Sequence, residues 1–395
     1  MPATFDFRVT HTRGAARRGE MTTAHGTVQT PAFMPVGTQG AIKGLLPRDL
    51  ESVGAEIMLA NTYHLGLRPG DARIGRLGGV HAFIGWPHPI LTDSGGYQAF
   101  SLGERRTIDE DGVHFRSHLD GSPLRLTPEH AADIQANLGS DIAMVLDECL
   151  GYPATRDEAA ASMTRTLRWA ARGRARFLAL SDAAAAGPAP APDGRCLVTN
   201  PGQAQFGIVQ GGTYPDLREE SAEATVALRF EAFAIGGLSV GEPAPVMYDI
   251  VAATTPRLPA NRPRYLMGTG TPLDLVECVD RGIDLFDCVM PTRNARNGQL
   301  FTSEGKLNIK NACHAEDPRP PDPACGCYTC RHFSRAYLRH LFMAGEMNAA
   351  TLNTLHNLYF YLDTMRRIRE ALVFGSFDAL KQAYRQVHSR QPIDR

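Results

Sequence analysis

The chain has 395 residues, 43% of them apolar and 21% charged, with a formal net charge of −1. That is the composition of an ordinary soluble globular protein with a large core; no stretch approaches the roughly 18 uncharged apolar residues of a membrane span. Met1 to Glu20 lacks the apolar centre of a secretory signal, so the cytoplasm is the default expectation, and a net charge this near zero gives no bulk attraction for nucleic acid.

In chain order, eight short apolar runs stand out: Ala32 to Val36, Ile57 to Ala60, Ile90 to Thr92, Ile142 to Leu146, Phe206 to Val209, Phe233 to Ile235, Tyr265 to Met267 and Ile283 to Phe286. Each has strand length, and most are too apolar for a half-exposed strand, as expected of parallel strands covered by helices. Amphipathic stretches separate them, among them Thr127 to Leu138, Arg156 to Leu180, Asp216 to Phe230 and Pro272 to Arg281. Thr127-Pro128-Glu129 opens one with an N-cap residue, then proline and an acid at the first helical positions. Strand and helix alternating eight times predict an α/β fold, an irregular (β/α)8 TIM barrel. A doubly wound open sheet alternates in the same way, but it would gather its site at one switch point. Here Asn61, Asp93, Asp147, Gln210, Gly236-Gly237 and Asp287 each follow a different run, which favours the barrel.

Two segments break the rhythm. Ser181 to Gly194, rich in alanine and proline, reads as a mobile, chemically idle excursion. From Asn297 to Asn357 the barrel pattern stops: Phe301 to Lys310 predicts a hairpin around Glu304-Gly305, and a proline-rich loop leads to Cys325-Gly326-Cys327-Tyr328-Thr329-Cys330. The predicted organisation is a barrel over 1–296, an inserted C-terminal zinc-binding subdomain over 297–357, and C-terminal helices over 358–395 packing back on the barrel.

Eight cysteines in so long a chain are no disulfide framework. Three of them at C-x-C-x2-C spacing can converge as thiolates on one tetrahedral ion, for which zinc is the natural occupant. The fourth ligand could come from Cys313, His332, His340 or His356; His332 is too close to Cys330 to close a chelate easily, and His356 lies on a predicted helix from Met347 to Arg369. Reduced core cysteines are the bland alternative, weakened by the surrounding glycine and proline. Four protein ligands leave no open position, so the zinc is expected to be structural.

Charge is unevenly spread. Arg293, Arg296, Lys306, Lys310, Arg319, Arg331, Arg335 and Arg339 face only Glu304, Glu316, Asp317 and Asp322 over the same segment, a local charge of +4. Charge runs are commonly solvated faces; the sharper reading is a footprint for phosphates. Upstream of it, Asp93 and Asp287 can face each other across a barrel mouth, the arrangement that cleaves a glycosidic bond through a covalent intermediate. Either could instead cap a helix or pair with arginine. Asp147, Gln210 and the Gly236-Gly237 backbone offer donors and acceptors suited to a purine edge, and Tyr97, Tyr265 and Met267 offer faces to sandwich the base.

The strings DSGGYQ (Asp93 to Gln98), DEC (Asp147 to Cys149), GIVQGG (Gly207 to Gly212), GGLSVGE (Gly236 to Glu242), YLMGTG (Tyr265 to Gly270) and FDCVMPTRNARNG (Phe286 to Gly298), followed by C-x-C-x2-C and His356, together resemble the bacterial tRNA-guanine transglycosylases, also called queuine tRNA-ribosyltransferases. The resemblance runs from about residue 5 to about residue 385, with the segment from Ser181 as an unmatched insertion. It implies exchange of guanine at the wobble position of tRNAs with GUN anticodons (the Asp, Asn, His and Tyr isoacceptors) for a 7-deazaguanine base, in queuosine biosynthesis. Residue by residue, it makes Asp287 the nucleophile and Asp93 the general acid/base. Asp147, Gln210 and the Gly237 amide read the base, the Leu238 backbone lies near its 7-substituent, and Tyr97 and Met267 stack on it. Arg293 and Arg296 become the anticodon readers, and Cys325, Cys327, Cys330 and His356 the ligands of one structural zinc per subunit. Val240 and Cys149 resemble the bacterial form, which takes 7-aminomethyl-7-deazaguanine; Ser239 stands where alanine is frequent. A chain ending at Arg395 leaves no room for the extra RNA-binding domains of archaeal relatives, and the resemblance implies a homodimer. A catalytically dead paralogue would lose the aspartates that are present here, and a plain nucleosidase or glycoside hydrolase would have no need of the basic stretch.

Overall fold

The computed structural model describes residues 5–97 and 107–388, and in it the apolar runs form one parallel ring. Strands Met58–Ala60, Ile90–Thr92, Ile142–Met144, Ala204–Val209, Ala232–Ile235, Arg264–Leu266 and Leu285–Asp287 stand side by side in chain order. The first run splits at Pro35 into Ala32–Met34 and Val36–Gly37, and the two halves serve opposite neighbours. Ala32, Phe33 and Met34 pair with Leu285, Phe286 and Asp287, whereas Val36 and Gly37 pair with Leu59 and Ala60, so one segment closes the ring. Proline has no N–H for a ladder, but its carbonyl still accepts from the Leu59 N–H at 2.9 Å. Apart from Asp287, these strand residues are buried on both faces, which explains why they read as continuous apolar runs rather than alternating ones.

Helices Pro128–Leu138, Arg156–Ala183, Pro215–Ala227, Ala244–Thr254 and Pro272–Asp280 cover the ring. Their starts are encoded locally: the Thr127 hydroxyl accepts from the His130 N–H, and Thr155 with Glu158 and Thr271 with Asp274 form reciprocal capping boxes. The (β/α)8 barrel expected from the sequence is the fold observed. The hairpin is found as Gln299–Thr302 paired with Gly305–Asn308, and the helix expected over Met347 to Arg369 as Met347–Phe374. That helix runs unbroken through residue 357, carrying His356 at one end and packing on the barrel at the other.

The Ala/Pro-rich segment is packed, contrary to the expectation of an idle excursion. Ala189–Pro190 pairs antiparallel with Leu197–Val198, and Ala184, Ala191, Cys196 and Val198 bury themselves against Ala132, Ala136 and Leu180. Small side chains are what permit this close approach, and Arg176 ties the segment down by bridging Asp133 and Asp193.

An unforeseen three-stranded antiparallel sheet, Asp6–Arg13, Ala16–Thr23 and Gly26–Thr30, covers the end of the ring where its strands begin. Two buried carboxylates hold it there. Asp284 takes Arg17 in a two-pronged pair, at 2.9 and 2.5 Å, while Arg17 also donates to the carbonyls of Ala260 and Arg262. Asp141 accepts from His25 Nδ1 at 2.8 Å, His81 Nε2 at 2.9 Å, and the backbone N–H groups of His25 and Ile90. The two imidazoles stack with centroids 3.6 Å apart. Both oxygens of Asp141 are thereby occupied by N–H donors, so the trio is a hydrogen-bonded clamp.

Burial lowers the His81 imidazole against the raising influence of Asp141. Burial also works to raise the Asp141 carboxyl, but the His25 and His81 bonds outweigh it and hold the group well below the carboxylate range. Both groups therefore bind more protons in the unfolded chain than in the folded one, and stability falls on acidification, the His81 part below about pH 6.5 and the Asp141 part below about pH 4. The melting temperature should drop between pH 7.5 and 5.5, and His81→Gln should flatten that slope; parallel slopes for the two proteins would remove His81 from the linkage.

Candidate active site and metal centre

At the opposite end, where the strands finish, the loops enclose a cavity of about 290 Å³. Asp93, Asp147 and Asp287 all reach it, together with Asn61, His64, Tyr97, Cys149, Gly236, Gly237, Leu238, Val240, Tyr265, Met267 and Cys288.

Asp93 follows strand Ile90–Thr92 and is buried. One carboxylate oxygen takes the Asn61 side-chain amide and the other the Thr62 N–H at 2.9 Å, while the Thr62 hydroxyl bonds the Asp93 carbonyl. The carboxylate is thus aimed by a turn from the neighbouring strand. Gly96 lies so close to Asp147 that a Cβ there would sit 2.6 Å from the Asp147 carbonyl oxygen, which explains the glycine pair after the aspartate. Tyr97 stands half exposed on the rim; Gln98 of the same motif lies outside the described residues.

Asp287 ends strand Leu285–Asp287 and is half-buried. Its Oδ1 accepts from the Tyr265 hydroxyl at 2.5 Å and the Gly268 N–H at 2.7 Å. Oδ2 has no protein donor among the described residues. Burial raises the Asp287 carboxyl, and these two donors oppose the rise. Burial and the adjoining Asp287 push the Tyr265 phenol well up, so it remains a donor at neutral pH. One oxygen is fixed and the other is open, which is the preparation an attacking carboxylate needs.

Asp147 is buried, accepting from Gln210 Nε2 at 2.7 Å and Ser94 Oγ at 3.3 Å. Burial pushes its carboxyl up to about 6 in spite of those two bonds. Gln210 is not in the cavity wall; it braces Asp147 from behind and is itself tied to the Ser221 hydroxyl through its backbone N–H. Gly236 and Gly237 are forced by this brace, since a Cβ on either would lie 2.8 or 2.3 Å from the Gln210 amide. Gly237 also adopts φ +64, in the left-handed region. Arg293, exposed, and Arg296, half-buried, sit on helix Met290–Arg296 directly after Asp287.

These positions are legible in the sequence; the Asn61–Thr62 clamp on Asp93 and the hydroxyl role of Tyr265, expected only as a stacking face, are not. Asn-Thr-Tyr-His straight after an apolar run was the available signal for the first. The basic stretch needs a correction. Arg335 is buried, bonded to Asp317 and to the carbonyls of Pro320 and Pro321, and Arg319 pairs with the same Asp317. Arg335 is thereby withdrawn from any open phosphate footprint and holds the proline-rich loop, while Arg319 stays exposed at the surface beside Asp317.

Cys325, Cys327, Cys330 and His356 converge, with the three Sγ atoms 3.8, 3.5 and 3.2 Å from His356 Nδ1. A tetrahedral ion with sulfur at about 2.3 Å and nitrogen at about 2.0 Å requires S···N edges of about 3.6 Å, in the middle of that range. His356 Nε2 donates to the Phe301 carbonyl at 2.8 Å, which leaves the Nδ1 lone pair facing the sulfurs. The donor set fits a metal ion, and among the four candidate ligands weighed above it is His356 that joins the cysteines.

Comparison with known proteins agrees with this arrangement. The family described as queuine tRNA-ribosyltransferase matches residues 12–390. Proteins named queuine tRNA-ribosyltransferase from Oleidesulfovibrio alaskensis and Aromatoleum aromaticum are 53% and 55% identical, covering 98% and 96% of the chain and 97% of each relative. One from Nitratidesulfovibrio vulgaris is 52% identical over 99% of both chains. A parallel barrel with three aspartates at one mouth and a Cys3His cluster beside it, matched over nearly its whole length, belongs to the queuine tRNA-ribosyltransferase family of pentosyltransferases.

Proposed function

We propose that this enzyme exchanges guanine at the wobble position of GUN-anticodon tRNAs for 7-aminomethyl-7-deazaguanine, through a covalent enzyme–RNA intermediate, as a cytoplasmic step of queuosine biosynthesis. The observation that carries the reading is the contrast between the carboxylates of one cavity: Asp287 with one oxygen open, Asp93 clamped on both, Asp147 buried beside an amide.

Asp287 attacks C1′ of the ribose; the C1′–N9 bond breaks, an ester to the carboxylate forms, and guanine leaves with a proton from Asp93. The incoming base gives its N9 proton back to Asp93 and attacks C1′ from the opposite face, releasing Asp287. Two inversions retain the β-anomer, and one N-glycoside replaces another, so no energy source is required. Asp147, braced by Gln210, accepts from the N–H groups of the purine; the Gly237 amide and Leu238 backbone complete its edge, with Tyr97 and Met267 on its faces. Val240 and Cys149 line the cavity and favour the aminomethyl base. Arg293 and Arg296 read the neighbouring anticodon nucleotides.

Zinc is the ion proposed for Cys325, Cys327, Cys330 and His356, in a structural role, since four protein ligands close its coordination. Two exposed aromatics near it, Tyr328 and Tyr337, the latter stacked at 5.4 Å on the partly buried Phe333, support a homodimer in which one subunit does chemistry while the other helps hold the tRNA.

Labelled guanine should enter tRNA with the wild-type protein, and a covalent complex should survive a denaturing gel. Asp287→Asn should abolish both while still binding tRNA, and an undiminished trapped band would sink the assignment of the nucleophile. Because Asp147 must be ionised to accept from the base, the Michaelis constant for guanine should climb as pH falls through about 6, as its carboxyl protonates. Asp147→Asn should remove that limb, and an unchanged profile would take Asp147 out of base binding. Finally, Cys327→Ala should lower metal content and thermal stability, with the loss of activity appearing mainly as weakened tRNA affinity; full metal occupancy in that variant would contradict the ligand set.

A further inference from the structure

Beneath the base cavity lies a buried cation to which no role has yet been given. Arg218, on the first turn of helix Pro215–Ala227, has no exposed surface, and its hydrogen bonds all go to main-chain carbonyls. Nε donates to Gly212 at 2.8 Å, Nη1 to Val209 and to Gly236 at 2.8 Å each, and Nη2 to Gly237 at 3.4 Å. Burial lowers its guanidinium to about 10, which leaves it charged at neutral pH. A buried charge bonded only to carbonyls is costly, and apolar packing would hold two strand ends together at a lower cost.

The identity of two of the carbonyls supplies a reason. In a trans peptide the C=O and the following N–H point in opposite directions. With the Gly236 carbonyl turned down onto Arg218, the N–H of Gly237 points away from it, and the Gly237 carbonyl sets the N–H of Leu238 in the same way. Gly237 and Leu238 line the cavity, and their N–H groups take no protein acceptor among the described residues. A cation on the carbonyl side of a peptide also polarises it, making its N–H a stronger donor.

We propose that Arg218 is a positioning residue for base recognition: by gripping the carbonyls of Gly236 and Gly237 it aims the N–H groups of Gly237 and Leu238 into the cavity as donors for the 6-oxo group of a purine. The inference rests on the base-exchange reading for the identity of the ligand, but it can be measured without tRNA. The fork of the guanidinium reaches all four carbonyls at once; the point charge of a lysine ammonium cannot.

The test is direct binding of guanine and of 2-aminopurine, which lacks the 6-oxo group, to the zinc-loaded wild type, Arg218→Lys and Arg218→Gln, with melting temperature and metal content as folding controls. The wild type should prefer guanine. In Arg218→Lys guanine affinity should fall about tenfold while 2-aminopurine affinity stays within about twofold, so that the preference narrows by the share that the 6-oxo group supplies, leaving the share from the N1–H that donates to Asp147. In exchange assays the change should appear in the Michaelis constant for guanine, with that for tRNA little altered. Equal loss for both bases, an unchanged guanine preference, or failure of both variants to fold would each overturn the proposal, the last by making Arg218 a purely structural tie. A wild type that binds guanine with this preference yet incorporates none into tRNA would overturn the exchange reading and leave the role of Arg218 standing.

Discussion

Strand Leu285–Asp287 pairs with Arg264–Leu266 on one side and with Ala32–Met34 on the other, and the second pairing turns an eight-membered row into a ring. It also sets Asp287 opposite Met34, one residue before Pro35 ends that half of the first strand. Side chains of a strand alternate in direction, so a slip of one residue in this register would turn Asp287 away from the cavity and bring Phe286 toward it. Tyr265 and Gly268, which hold one oxygen of Asp287, come from the adjoining strand and its loop, and their grip depends on the same closure. The chemistry of the cavity is thus a consequence of where the ring is sealed.

A parallel ring has unlike ends, and the same residue type serves different purposes at each. Where strands begin, N–H groups are left without ladder partners. Asp141 satisfies the N–H of Ile90 and Asp284 that of Arg264, and each adds a partner from the covering sheet, the His25 imidazole and the Arg17 guanidinium. Those carboxylates are saturated and act as fasteners. Where strands end, Asp93, Asp147 and Asp287 take donors from neighbouring loops, each with a different degree of burial and occupancy. The consequence is a set of carboxyls that differ in burial and in open lone pairs, the condition that the proposed division into nucleophile, acid/base and recognition group requires.

The legible parts of the sequence were those in which local chemistry and tertiary position agree. Buried parallel strands read as continuous apolar runs, and Thr127-Pro128-Glu129 marks a helix start in any context. The metal ligands were legible for a similar reason, because C-x-C-x2-C spacing restricts where three sulfurs can go. The covering sheet escaped because its strands, such as Asp6–Arg13, are largely polar and half exposed, so no hydrophobic period marks them. Ser181 to Gly194 misled because alanine and proline signal disorder by composition, whereas small side chains also pack closely. Gln210 was correctly associated with Asp147, but whether it faces the base or braces the aspartate depends on a side-chain direction that spacing does not contain. Arg335 reads as surface charge, whereas its guanidinium is buried against Asp317.

The metal centre is not isolated from the cavity, although its ligands lie outside the ring. His356 and Asn357 are neighbours on helix Met347–Phe374; the first donates to the Phe301 carbonyl, and the second accepts from the Phe301 N–H and donates to Pro291 and Gln299. Pro291 is on the helix that carries Arg293 and Arg296, and Asn353, one turn before His356, bonds the Ala295 carbonyl of that same helix. One turn farther along, the Tyr361 hydroxyl bonds the carbonyl of Gly270, in the loop whose Gly268 holds Asp287. An ion that fixes the rotation of His356 therefore fixes the face of a helix whose next polar side chains hold the arginine helix and the nucleophile loop. In the proposed reading, this is how a structural metal would govern the presentation of RNA to the cavity without touching the reacting atoms.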